Sequence, residues 1–191
     1  MKSPVVFEKS CEYQMYLREL LESKECDDVD IVSFDTNGES LIYKNLDEYC
    51  DIVHEYGKRL LVETAGYGLH NPAVQKALSK CDELNIDLQD TSEKMFVKLH
   101  RPAKGMSFDD LIAVYKVLRK WYKGDLAVSV FLLNNQNDNS EDIDFLKEIL
   151  DEMNPDKVSV QTLNNTKFKA FHIEEPRATE LINQFREYIN P

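Results

Sequence analysis

Val29-Asp30-Ile31-Val32-Ser33-Phe34 runs directly into Asp35-Thr36-Asn37-Gly38-Glu39-Ser40-Leu41-Ile42. A β-branched, apolar run that ends in a polar, glycine-bearing segment reads as a strand delivering the chain into a loop. The same form recurs at Arg59–Thr64, Glu83–Leu88, Leu126–Leu133 and Lys157–Leu163, none with an internal proline. Between these runs, apolar residues recur at helical spacing: Tyr13, Tyr16, Leu17, Leu20 and Leu21; Leu46, Cys50 and Val53; Leu111, Ile112, Tyr115 and Leu118; Ile143, Leu146, Ile149 and Leu150. Each set predicts one buried helix face. Ser107 with Asp110, Ser140 ahead of Glu141 and Asp142, and Pro72 after Asn71 mark helix starts, while Gly57 and Gly124 mark stops. A last helix is expected over roughly Ala178–Tyr188, with Leu181, Ile182 and Phe185 facing inward. Strands alternating with helices predict an α/β fold with a parallel sheet, and residues 1–191 are expected to form one domain.

With 191 residues and 42% of them apolar, the chain can bury a sizeable core. Lys and Arg number 23 against 35 Asp and Glu, a net charge of −12 that repels nucleic-acid backbones and anionic membranes. Neither is expected as a partner. The start Met1-Lys2-Ser3-Pro4-Val5-Val6-Phe7 has no signal-peptide run, so a cytoplasmic address is expected. The sequence contains no Gly-x4-Gly-Lys-Ser/Thr phosphate loop, no Gly-x-Ser-x-Gly elbow and no calcium loop of the helix-loop-helix type.

In parallel sheets wrapped by helices, chemistry gathers in the loops that leave the carboxyl ends of strands. Those loops are Asp35–Ile42, Thr64-Ala65-Gly66-Tyr67 and Asp87-Leu88-Gln89-Asp90, followed by Phe96-Val97-Lys98-Leu99-His100-Arg101-Pro102. Further on come Val130-Phe131-Leu132-Leu133 and Asn137-Asp138-Asn139-Ser140-Glu141-Asp142. In order and spacing this series resembles the radical S-adenosylmethionine (SAM) superfamily, particularly its bacterial and archaeal members of uncharacterised activity. Phe34, Gly38 and Glu39 match a Phe-Ser-Gly-x-Gly-Glu-Pro-Thr-Leu pattern; Thr64-Ala65-Gly66 resembles Thr-Asn-Gly, and Asn85-Ile86-Asp87-Leu88 the strand ending Ile-Asp-Leu. The resemblance implies a partial (β/α) barrel of about five to six strands. It also implies Asn37, Gly38, Glu39, Thr64 and Asp87 as the residues placed to contact SAM.

The departures carry as much weight. Radical SAM enzymes hold an iron–sulfur cluster by three cysteines in one short loop, and its reduction starts the cleavage of SAM. Here Cys11, Cys26, Cys50 and Cys81 stand 15, 24 and 31 residues apart, and no Cys-x3-Cys-x2-Cys occurs. A cluster held in the usual way is therefore not expected. Cys50 is expected as a buried, inert thiol beside Leu46 and Val53, and the other three cysteines as bystanders. The segment Pro4-Val5-Val6-Phe7-Glu8 resembles the stretch after the cluster loop in such enzymes, so that loop is expected to be missing and the first strand to be missing or reduced to Val5-Val6-Phe7. The sheet edge thus left open invites a second chain or copy. Thr36 and Ser40 replace a glycine and the proline of the pattern, which narrows a ligand's approach.

His70 and His100 could meet Asp87 and Asp90 at the strand mouth, and Glu63 is expected either to face the lumen or to pair with Arg59 or Arg101. No residue is assigned a catalytic or metal-ligating role. The reading is a radical-SAM-like barrel without its cluster motif, acting as a catalytically silent binding or partner module; no cofactor is expected to be bound, and SAM or another small molecule is the ligand that the resemblance would allow. The alternative is a split or incomplete radical SAM enzyme whose cluster loop is supplied elsewhere.

Overall fold

The computed structural model describes residues 10–34, 41, 45–102, 106–163 and 166–189. Five strands form one sheet: β1 (Ile31–Phe34), β2 (Arg59–Thr64), β3 (Glu83–Leu88), β4 (Asp125–Leu132) and β5 (Lys157–Thr162). They lie in chain order, β1-β2-β3-β4-β5, and all are parallel. An order without reversal is that of a singly wound sheet, in which right-handed crossovers set successive helices on one face. The helices are α1 (Ser10–Leu21), α2 (Leu46–Glu55), α3 (Pro72–Leu78), α4 (Glu93–His100), α5 (Phe108–Trp121), α6 (Ser140–Met153), α7 (Arg177–Asn183) and α8 (Arg186–Ile189). This is the α/β partial-barrel architecture that the sequence predicts.

The chain falls into two compact units. One comprises the residues up to Asn85 with Lys120–Asp125; the other comprises Ile86–Arg119 with the residues from Leu126 onward. In the first, Ile31 to Phe34 pair in parallel with Arg59 to Val62, and α2 lays Leu46, Cys50 and Val53 against Leu60 and Val62 in a closed core. In the second, Ala127 to Leu132 pair with Lys157 to Thr162. There α6 buries Ile143, Leu146, Ile149 and Leu150, and α7 and α8 lie against β5 with Leu181 and Phe185 buried. Burying one such side chain contributes about 1.5–3 kcal/mol, so these faces hold the helices in place.

Three local expectations change. Part of the predicted inner face of α1 is turned outward: Tyr13 and Tyr16 are 47% and 64% exposed and Leu20 is exposed with them, while Leu17 is half-buried. Gln14 and Arg18 instead bond Glu48 and Glu55 of α2, Leu21 is buried, and Glu22 accepts from the Tyr56 hydroxyl at 2.6 Å. That spacing is also helical, so polar anchoring fixes the helix a rotation away from its aromatic stripe. Second, the C-terminal helix is broken at Gln184-Phe185 into α7 and α8. Third, α6 is capped by Asn139, whose side chain accepts the Asp142 N–H at 3.0 Å, which makes Ser140 the first helical residue.

Candidate functional site

Alternation along the strands prepares the site. In β2, Leu60, Val62 and Thr64 are buried while Leu61 and Glu63, on the other face, are half-buried. In β3, Leu84, Ile86 and Leu88 are buried while Glu83, Asn85 and Asp87 are half-buried. A parallel sheet covered on both faces would carry apolar residues on both. Polar residues on one face mark the side that meets solvent or a ligand.

In the first unit, Ser33 and Glu63 meet on that face near the carboxyl ends of β1 and β2. The Ser33 hydroxyl donates to Glu63 Oε1 at 3.3 Å. Arg59 engages Glu83 and Asp125 rather than Glu63, so the predicted Arg59–Glu63 pair is replaced. Arg59, Glu83 and Asp125 each open their strand at its amino end, whereas Glu63 lies four residues further along β2. Thr64 lies on the buried face and its hydroxyl accepts the Gly66 N–H at 2.8 Å, closing the turn that leaves β2; Gly66 adopts a left-handed φ of 86° there. In the same loop Gly68 lets the chain close on Leu41, because a Cβ at position 68 would lie 2.8 Å from the Leu41 Cβ. Asn37, Gly38 and Glu39 lie outside the described residues. Asp87 is half-buried on the polar face of β3.

In the second unit a buried polar group follows β3. Asp90 is 5% exposed, and His100, the last residue of α4, places Nε2 2.8 Å from its Oδ2. Asp90 Oδ1 is buried with no hydrogen-bond partner among the described residues. A carboxylate oxygen removed from water without a donor is costly, and it is a position where a bound donor would be favoured. A carboxylate on one imidazole nitrogen orients the ring and fixes its tautomer. The Gln89 amide lies 3.1 Å from the same ring nitrogen. His70, in the first unit, is exposed on the turn before α3.

Asn137 ties this region together. It is fully buried, its amide donates to the carbonyls of Gln89 and Phe131 at 2.8 Å each, and its oxygen accepts the Leu133 N–H at 2.7 Å. The exits of β3 and β4 are thereby clamped to one side chain. Sequence reading placed Asn137 in a helix-start motif and missed this role. Three bonds from one buried amide could have been suspected only from an asparagine set between an apolar strand and a separately capped helix.

Thiols lie elsewhere. Cys26 is in a short 3-10 helix ahead of β1 and Cys81 directly precedes Asp82 and β3, so both are at amino ends of strands. Cys50, on the inner face of α2, is fully buried with its Sγ 3.0 Å from that of Cys81. The expected burial of Cys50 is seen, but Cys81 is its partner rather than a bystander. These donors do not fit a three-thiolate cluster at the strand mouth. Among the described residues no group of three or more His, Cys, Asp or Glu side chains is placed to hold a metal ion.

No protein-family model matches the chain. It is 26% identical over 155 residues to a protein named GTPase Obg from Brachyspira hyodysenteriae, covering 77% of this chain and 22% of that protein. It is 23% identical over 150 residues to a UPF0026 protein of Helicobacter pylori, covering 77% of this chain and 48% of the relative. A UPF0026 protein of Methanocaldococcus jannaschii is 22% identical over 134 residues. The chain thus spans about half the length of the UPF0026 relatives and less of the first. Among solved structures, TYW1 with a lysine-pyruvate adduct bound superposes with a TM-score of 0.67 at 16% identity, over 93% of this chain and 59% of that one. A domain of pyruvate-formate lyase-activating enzyme from Bacteroides vulgatus gives 0.62 at 16%, over 82% and 93% of the two chains. Coproporphyrinogen III oxidase from Escherichia coli, described as a radical SAM enzyme, gives 0.59 at 14%, over 94% and 46%. Ordered strands, polar strand exits and these superpositions agree: the chain has the fold of radical SAM enzymes.

Proposed function

We propose that this chain is a ligand-binding portion of a radical-SAM-type barrel whose own cysteines do not hold an iron–sulfur cluster, so that by itself it is catalytically silent. The observation that carries this reading is the separation of its donors. The described thiols gather at amino ends of strands and on α2, whereas Ser33, Glu63, Asp87, Asp90 and His100 lie at or beyond the carboxyl halves of strands. Carboxylates and hydroxyls suit a ligand with ammonium and hydroxyl donors, which SAM carries; Glu39 and Glu63 would meet the ammonium group, with Asn37 and Gly38 around the remainder. In a cytoplasmic setting, where SAM is made, such a ligand is at hand.

Titration calorimetry with SAM tests this. A specific site weakened about 10-fold or more in both Glu39→Ala and Glu63→Gln is expected, the loss of one charge-assisted hydrogen bond. No heat with the parent protein, or an affinity equal to the parent's in either variant, contradicts it.

A second reading is favoured by coverage: the chain spans 48% of a UPF0026 relative and 59% of TYW1. Here the chain contributes the strand mouth of a working enzyme and another polypeptide or segment brings the cysteines. Edge strand β1, which among the described residues has β2 as its one neighbour in the sheet order, is where such a partner would pair. Co-expression with a cysteine-bearing segment that yields a stable complex and a bound cluster supports it; failure to associate removes it.

A further inference from the structure

Two reactive groups of the first unit meet in a place that the strand mouth does not use. Cys50 Sγ lies 3.0 Å from Cys81 Sγ, with Cys50 wholly buried and Cys81 4% exposed. The separation is about 1 Å more than a disulfide bond, and the two residues come from different elements, α2 and the turn after α3. Cys81 is also held from the far side, where its thiol faces the Ala77 carbonyl at 3.8 Å. Two thiols fixed in contact within a packed core have lost most of the entropy that closing a bond between them would otherwise cost.

We propose that Cys50 and Cys81 are a redox pair that closes to an intrachain disulfide, with a low-molecular-weight disulfide of the glutathione class as oxidant. One cysteine sulfur attacks the small disulfide, forms a mixed disulfide and expels one thiol, which takes up the proton. The second cysteine sulfur then displaces the other small thiol and gives up its own proton. The balance is two protein thiols plus one small disulfide going to one protein disulfide plus two small thiols. Contact with Cys50 and burial keep the Cys81 thiol protonated well above the ordinary cysteine range, so the first attack is slow and proceeds through local opening of α2. The product staples α2 to the amino end of β3 and leaves the carboxyl ends of the strands untouched, so the inference stands apart from the ligand reading above.

Equilibrating the full chain in glutathione buffers of rising disulfide fraction, quenching in acid and mapping unreduced peptides tests it. The expected product is a Cys50–Cys81 linked peptide, with an intact mass lower by about 2 Da for the two hydrogens lost. Dithiothreitol restores the mass, and both Cys50→Ala and Cys81→Ala lack the linked peptide. Half-exposed Cys26 serves as an internal control, since its glutathione adduct shows that the oxidant was active. An adduct on Cys26 with Cys50 and Cys81 still reduced, or a bridge from either to Cys11 or Cys26 as the main product, would overturn the proposal.

Discussion

At the scale of single residues, one device appears twice. Asp82, just ahead of β3, donates its N–H to the Leu60 carbonyl at 3.1 Å and accepts the Leu60 N–H on its carboxylate at 2.8 Å. Asp156, just ahead of β5, does the same with Leu126 at 2.8 and 2.7 Å. Each aspartate thereby satisfies both backbone groups at the start of the neighbouring strand, which fixes register before any side chain packs. Burial pushes the Asp82 carboxyl up, but the His54 and Leu60 donors with the charge of Arg59 outweigh it and hold it below its ordinary value. For Asp156 the Leu126 N–H leads and Arg119 adds to it against burial, with the same net direction. A lowered folded-state value stabilises the protein above the unfolded value near 4, and that part is lost as pH falls through the folded one. Asp82→Asn should therefore cost about 1–3 kcal/mol in urea denaturation at neutral pH, and the gap between variant and parent should close on acidification toward about pH 2. At the candidate site, His100→Ala should cost about 1–3 kcal/mol by leaving Asp90 buried without its donor, more than Asp90→Asn does. The sequence exposed Asp90 and His100 as neighbours of the mouth, yet hid the Asp82 and Asp156 clamps, because a lone aspartate before a strand has the same composition as a turn.

At the scale of elements, β2 and β3 were legible to the residue, and the remaining strands to within two residues at either end. Alternation and β-branching mark strands well when no neighbour competes. Helix orientation was harder to read. The aromatic stripe of α1 outweighs Gln14 and Arg18 in any apolar count, but their bonds to Glu48 and Glu55 decide which side faces α2. Tyr16→Ser is accordingly expected to change stability by less than about 0.5 kcal/mol, whereas Leu21→Ala should cost about 2–5 kcal/mol, both read from urea midpoints. The two predicted helix stops separate by mechanism. Gly57 follows α2 with a φ of 68° and open space around it, so Gly57→Ala should cost about 1 kcal/mol of backbone strain. Gly124 lies where a Cβ would meet the Asp82 carbonyl at 2.6 Å and the Tyr122 hydroxyl at 2.5 Å. Its role is close approach beside the Asp82 clamp rather than helix termination, and Gly124→Ala should be the more damaging of the two in the same assay.

At the scale of the whole molecule, the sequential strand order follows from five repeats of strand and helix, and no switch in that order was needed to explain the chain. The division into two units was not legible, because it cuts through β3 between Asn85 and Ile86 where the apolar pattern is unbroken. The polar strand exits were legible as loops, while the Asn137 clamp and the Cys50–Cys81 contact arise from residues 48 and 31 positions from their partners and show only in three dimensions. Among the described residues no three thiols lie together, and the proposed reading is that this chain's own cysteines hold no cluster. Anaerobic reconstitution with ferrous iron and sulfide, followed by iron and acid-labile sulfide analysis with electron paramagnetic resonance of the reduced sample, measures that claim most directly. The account predicts iron and sulfide far below one cluster per chain and no cluster signal. About four irons and four sulfides per chain, with the spectrum of a reduced cubane, would contradict it.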